Sequence, residues 1–153
     1  MLSIEEEIQS SFKNEHHKLM VNIQLTASRF AEKIQLVMKD HDLTSTQFNV
    51  LRILRGQKQK PASIGLIKER MVERNSDVSR IIDRLLKKGL ISRTENEIDR
   101  RQKDVIISQS GLDVLQKIDD LNDLIPDLLN NISDKEARQL NNLLDKARNT
   151  PKP

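Results

Sequence analysis

The sequence predicts a mostly α-helical chain that carries one small β-hairpin. Three observations predict it. Apolar residues recur at steps of three and four along most of the 153 residues. Aromatic residues make up only 2% of the chain, while Leu, Ile, Lys, Glu and Gln are abundant, which favours helix. Between 90 and 108, two short stretches, one ending in Val105–Ile106–Ile107, flank a polar, charged segment and read as paired strands.

Taken in order, Ile4, Ile8, Phe12, Leu19, Ile23, Ala27, Phe30, Ile34 and Val37 form one helical stripe with a gap at His16. A continuous helix over 4–37 would run about nine turns, or about 50 Å. That is too long to bury against a domain of this size. Part of the stripe should therefore pack on a helix outside the central segment, from this or another subunit. Asp40–His41–Asp42 ends it.

Thr44 and Gln47 form a capping box for a second helix that turns Phe48, Leu51 and Leu54 inward, and Gly56 with Gln57–Pro61 ends it. Ser63 is the expected cap of a short third helix with Ile64, Ile67 and Met71 on one face. Asn75 is the expected cap of a fourth, bearing Val78, Ile81, Ile82 and Leu85. Lys87–Lys88–Gly89–Leu90 reads as a Schellman ending, with Gly89 in the left-handed position.

The hairpin pairs Leu90–Glu95 with Lys103–Ser108 around a tip, Asn96–Gln102, that is longer than a tight turn. Ser108 or Ser110 then opens a helix with Leu112, Leu115, Ile118, Leu121, Ile125, Leu128, Leu129 and Ile132 as its stripe. Pro126 should kink or break it. Ser133 and Glu136 box the last helix, which carries Ala137, Leu140, Leu144 and Ala147. The organisation expected is an N-terminal helix over 1–43, a central domain over 44–108, C-terminal helices over 109–149 and a tail over 150–153.

Charge is unevenly distributed. Residues 52–104 carry 15 Lys/Arg against 8 Asp/Glu, net +7, between two ends of net −2 each. A basic centre on an acidic frame suits a polyanion. Two short helices joined by a few residues, followed directly by a basic hairpin, form a helix-turn-helix with a wing. The second helix of the pair should put its amino end, Asn75–Ser76–Asp77–Val78–Ser79–Arg80, into the major groove of double-stranded DNA. Ser76 and Ser79 are small enough for close approach. Arg80 has the fork that suits guanine, while Arg84 and Lys87 read as phosphate contacts.

Asp77 would be repelled by phosphates. It either accepts from cytosine N4 or orients Arg74, Arg80 or Arg84. In the wing, Arg101 is the expected minor-groove reader, held by Asp99, with Arg100 on the flanking phosphate. The bland alternative is a loop-stabilising Asp99–Arg101 surface pair. Ser63, Arg93 and Lys103 complete the candidate DNA-contacting set.

These pieces resemble the MarR family of bacterial winged-helix transcription regulators over nearly the whole chain. Thr44-Ser-Thr-Gln47-Phe48-Asn-Val50-Leu51 is similar to the family's LTxxQFxVL entry into its second helix. Val78-Ser-Arg80-Ile-Ile-Asp83-Arg84-Leu85-Leu-Lys-Lys88-Gly89-Leu90-Ile91-Ser-Arg93 resembles its VSRLVDRLEKKGLIxR core. Ile98-Asp99-Arg100-Arg101 through Gly111 resembles its DRRxxxVxLTxxG wing exit.

The resemblance implies a homodimer with interlocked N- and C-terminal dimerisation helices. Two recognition helices would sit in successive major grooves of a pseudo-palindrome, with a wing beside each. Arg101 falls on the family's wing arginine, Asp99 on its acidic support, and Arg80 and Arg84 on positions that often face DNA. The resemblance further implies a repressor released by a small phenolic or hydrophobic anion in the crevice between the dimerisation helices and the DNA-binding lobe. His16 and His17 are candidates for that crevice or for the subunit interface. Three residues depart from the pattern: Asn96 and Glu97 replace the usual acid and proline at the wing tip, and Asp77 is unusual at the start of the recognition helix. The reactive amino-terminal cysteine of the peroxide-sensing branch has no counterpart in this chain without cysteine.

Other classes fit less well. The three histidines, His16, His17 and His41, show no His-x-x-x-His spacing, and there is no glycine-rich phosphate loop. No enzyme activity, metal or cofactor is expected. No apolar run approaches the roughly 20 residues that span a bilayer, and Met1–Ser10 is acidic rather than signal-like. A cytoplasmic protein without a membrane partner is therefore expected. The rival reading is a winged-helix protein-interaction module that does not bind specific DNA.

Overall fold

The computed structural model describes residues 2–96, 103–119 and 129–149. By internal contacts the chain divides into two units, Met1–Asp119 and Asp120–Pro153. The first holds α1 (Ile4–Ile8), α2 (Glu15–Asp40), α3 (Ser45–Gly56), α4 (Ile64–Arg70), α5 (Val78–Lys87), β1 (Ile91–Glu95), β2 (Lys103–Ile107) and α6 (Gln109–Asp119). The second holds α7 (Asp134–Arg148). This is the mostly helical, hairpin-bearing fold that the sequence implies.

The expected continuous first helix is two helices. Gln9 adopts the left-handed conformation with φ 51° and ends α1, its amide donating to the Glu5 carbonyl. Asn14 then caps α2, its side-chain oxygen accepting from the His17 amide at 2.9 Å. The residues between, Ser10, Ser11 and Asn14, bond readily to nearby backbone and so favour turns and caps over helix interior. Phe12 keeps the apolar phase without being helical, and its ring meets His17 edge-on at 5.5 Å. Ion pairs Glu5–Lys18, at 2.6 Å, and Glu7–Arg29 hold α1 to α2.

The core lies in the central segment. Val50, Leu51 and Leu54 of α3, Ile67 of α4, Val78, Ile82 and Leu85 of α5, Ile91, Val105 and Ile107 of the hairpin and Leu115 and Ile118 of α6 form one buried cluster. Each helix contributes one face at the three-and-four spacing, and the hairpin contributes alternate residues. The strands are antiparallel, with Ile91 opposite Ile107 and Arg93 opposite Val105. Ala62 adds a third, one-residue rung by exchanging two backbone bonds of 2.9 Å with Val105. Arg55 of α3 is bonded to Asp119 at the end of α6.

Local signals set most of the boundaries. Thr44 and Gln47 cap α3 reciprocally, and Ser133 and Glu136 do the same for α7. Gly89 has φ +68°, and the amides of Gly89 and Leu90 bond to the carbonyls of Leu86 and Leu85, which is a Schellman ending. Of the two candidate openings for α6, Ser108 is the cap. Its hydroxyl accepts from the Gly111 amide at 3.1 Å and donates to the Gly89 carbonyl at 2.7 Å. A Cβ at Gly111 would stand 2.3 Å from the Leu90 carbonyl oxygen, so only glycine lets α6 pass that close.

The cap of α5 is Asp77, not Asn75. Asp77 Oδ1 accepts from the Arg80 amide at 3.1 Å. The helix begins at Val78, directly after it. Asn75 lies in the preceding turn, where the Ser76 amide bonds to the Glu73 carbonyl. The expected kink at Pro126 and the stripe residues Leu121, Ile125 and Leu128 lie outside the described residues. Within the described residues, no helix is long and apolar enough to cross a membrane.

Candidate nucleic-acid interface

The candidate surface is the side of α5 turned away from the core. Val78, Ile82 and Leu85 are buried, while Ser79, Arg80, Asp83, Arg84 and Lys87 are exposed. At 3.6 residues per turn, Arg80 and Lys87 lie opposite the buried face, with Asp83 on one flank and Arg84 on the other. Ahead of the helix, Asn75 is exposed and Ser76 half-buried, its hydroxyl 3.5 Å from Glu73.

The capping role accounts for Asp77. Its carboxylate is spent on the helix terminus through the Arg80 backbone amide, and it is favourable there because the amino end of a helix carries partial positive charge. No bond between Asp77 and the side chains of Arg74, Arg80 or Arg84 occurs among the described residues. Ser63 is likewise engaged, as the cap of α4, accepting from the Leu66 amide at 3.1 Å.

Two basic residues of the candidate set have acidic partners. Arg93 Nη2 of β1 donates to Asp83 Oδ1 of α5 at 2.7 Å. Lys103 of β2 reaches its cross-strand neighbour Glu95 at 3.3 Å. At the root of the tip, Asn96 donates to Asp104 Oδ2 at 2.8 Å, while Asp104 Oδ1 is buried without a hydrogen-bond partner. Asp99, Arg100 and Arg101 lie outside the described residues.

On its other flank α5 borders an open cleft of about 420 Å³, lined by Lys39, Asp42, Leu43, Arg84, Lys87 and Lys88 among others. Lys88 clasps the Asp42 carboxylate at 2.9 Å and also bonds to the Asp42 carbonyl. Asp42 itself has φ 52°. Sequence reasoning missed Lys39, Asp42, Lys88 and this cleft. The partners are 46 residues apart, so no local pattern announces the clasp. His16 and His17 are not at this cleft. His16 is exposed on the first turn of α2, and His17 Nδ1 accepts from the Lys13 amide at 3.4 Å. No cluster of His, Cys, Asp or Glu able to hold a metal occurs among the described residues.

A helix pair with a capped, cation-bearing second helix, backed by a two-stranded hairpin, defines a winged helix-turn-helix. Residues 43–103 match the MarR family. One relative, the HTH-type transcriptional repressor MdtR of Bacillus subtilis (strain 168), is 36% identical over 98 residues, covering 61% of this chain and 62% of MdtR. The match thus spans less than two thirds of that relative.

Among solved structures, a mutant MarR from E. coli complexed with operator DNA superposes with a TM-score of 0.78 at 25% identity, covering 90% of this chain and 99% of that one. A MarR-like transcription regulator from Bacillus cereus ATCC 10987 gives 0.76 at 21% identity, covering 88% and 96%. BpsR of Bordetella bronchiseptica gives 0.73 at 20% identity, covering 86% and 99%.

Proposed function

We propose that this protein is a sequence-specific, double-stranded-DNA-binding transcription regulator, a ligand-responsive repressor that acts as a homodimer on a pseudo-palindromic operator. The observation that carries this reading is the exposed face of α5, where Ser79, Arg80 and Lys87 stand on a helix whose other face is locked into the core. Arg80 has the geometry to read a guanine edge, and Lys87 and Arg84 to neutralise phosphates. In the wing, Arg101 takes the minor groove with Asp99 as its support and Arg100 on a flanking phosphate. The relatives agree in kind: MdtR is a transcriptional repressor and the E. coli MarR structure holds operator DNA. Such a role belongs in the cytoplasm and calls for no enzymatic step.

Dimerisation is supported by α2, which exposes Leu19, Met20, Ile23 and Ile34 at helical spacing, and by α7, which exposes Leu140 and Leu143. A contiguous apolar stripe of this kind marks an interface. A twofold protein axis then matches a twofold operator. For the ligand, the cleft offers Lys39, Arg84, Lys87 and Lys88 around an apolar floor at Leu43. Those groups suit a small hydrophobic or phenolic anion. BpsR, one of the structural neighbours, has its DNA binding regulated by 6-hydroxynicotinic acid.

The test is the salt dependence of binding to duplex DNA. Several neutralised phosphates give a log–log slope of about −0.9 per phosphate. A flat response, or no binding, favours the rival module that holds a protein partner.

A further inference from the structure

We propose that Asp83 is a positioning residue for DNA docking: it holds the Arg93 guanidinium at the seam between recognition helix and wing, so that the remaining donors of Arg93 face a backbone phosphate. This rests on the DNA-binding reading above and adds to it a role for an acidic residue on the cationic face.

Asp83 sits on the flank of α5 opposite Arg84, and it turns toward the hairpin rather than toward the cleft. Arg93 is the middle residue of β1 and shares its strand face with the buried Ile91, so its side chain leaves the hairpin on the side that meets α5. The bond between them runs from Nη2 to Oδ1 at 2.7 Å. A guanidinium has five N–H donors in a fixed planar fork. One of them is anchored on Asp83, and the Arg93 side chain is 54% exposed.

A carboxylate among Arg80, Arg84 and Lys87 would by itself repel the duplex. An exposed pair also adds little to stability. Neither consideration explains Asp83 on this face, whereas orienting a phosphate-binding fork does. The fork needs to be held because a freely rotating arginine loses side-chain entropy on every contact it makes.

The two readings of Asp83 predict opposite signs. Binding to a mixed-sequence duplex long enough to span two major grooves would be measured over a series of salt concentrations. The proteins are the full-length wild type, Asp83→Asn, Arg93→Ala and the double variant. Asp83→Asn is expected to bind about three- to tenfold more weakly, although it removes a negative charge. Arg93→Ala should lose about tenfold and flatten the log–log slope by about 0.9, the share of one phosphate. The double variant should be no worse than Arg93→Ala, and all should melt like the wild type.

Asp83→Asn binding as tightly as the wild type or more tightly overturns the proposal, as does an unchanged slope for Arg93→Ala. Weakened binding that comes with a lowered melting temperature also overturns it, because the pair is then structural. If the wild type itself shows no salt-dependent duplex binding, the DNA-binding reading fails, and the proposal with it. That result is visible before any variant is compared.

Discussion

Helices α3 and α2 make opposite use of their apolar residues. In α3, 12 residues long, Gln47, Val50, Leu51 and Leu54 are buried. In α2, 26 residues long, Met38 alone is buried, while Leu19, Met20 and Leu36 are more than half exposed. The difference teaches where each part of the chain finds its stability. The winged segment closes its core with its own side chains together with Leu115 and Ile118 of α6 and Met38 of α2. The long helix carries an apolar stripe that stays exposed in the single chain, and the dimer proposed above would cover it.

Truncating the core should have the largest effect. Leu85 is fully buried at the meeting point of α5 with the rest of the cluster, so Leu85→Ala should cost about 2–5 kcal/mol. Denaturant unfolding would measure it, and a loss under 1 kcal/mol would show that the segment does not rest on this core. Ile23→Asp on α2 should leave the winged segment folded but turn a dimer into a monomer in sedimentation. Operator affinity should fall with it, because two linked half-sites are lost. A dimer of unchanged mass would remove α2 from the interface.

Asp77→Ala should be smaller still, about 1 kcal/mol for a lost N-cap. Asp77→Asn keeps the cap and should tighten binding to non-specific duplex by removing a charge from that face. The smallest effect concerns acid. The Ser133 hydroxyl and amide hold the Glu136 carboxyl below its ordinary value of 4.5. Because the folded value is the lower one, this contribution is complete above 4.5 and is lost as pH falls through the folded value. Protection factors of the amides at the start of α7, which normalise exchange to the intrinsic rate at each pH, should therefore fall on acidification, and Glu136→Gln should remove that dependence.

Much of this fold is written in short-range signals. The boxes at Thr44 and Ser133 and the glycine ending at Gly89 involve residues within six positions of each other, and each is read directly from sequence. The break at Gln9–Asn14 is hidden because Phe12 happens to preserve the helical phase, so periodicity runs on through a segment that is not helix. Asn75 and Asp77 are both good caps two residues apart. The turn that places the Ser76 amide on the Glu73 carbonyl keeps Asn75 out of the helix and leaves Asp77 as the cap. The same limit applies to the candidate site: its exposed cations were legible on α5, but the Asp83–Arg93 and Asp42–Lys88 pairs depend on how separate elements pack, which no local pattern encodes.

The central claim is that two copies present the outer face of α5 to one face of a duplex. Footprinting of the DNA adjoining the protein's own gene tests it most directly. Two related protected segments whose centres lie one helical turn apart, about 34–36 Å, are the expected result, and Arg80→Ala should abolish them while sparing weak non-specific binding. A single isolated footprint, or protection unchanged by Arg80→Ala, would contradict the claim.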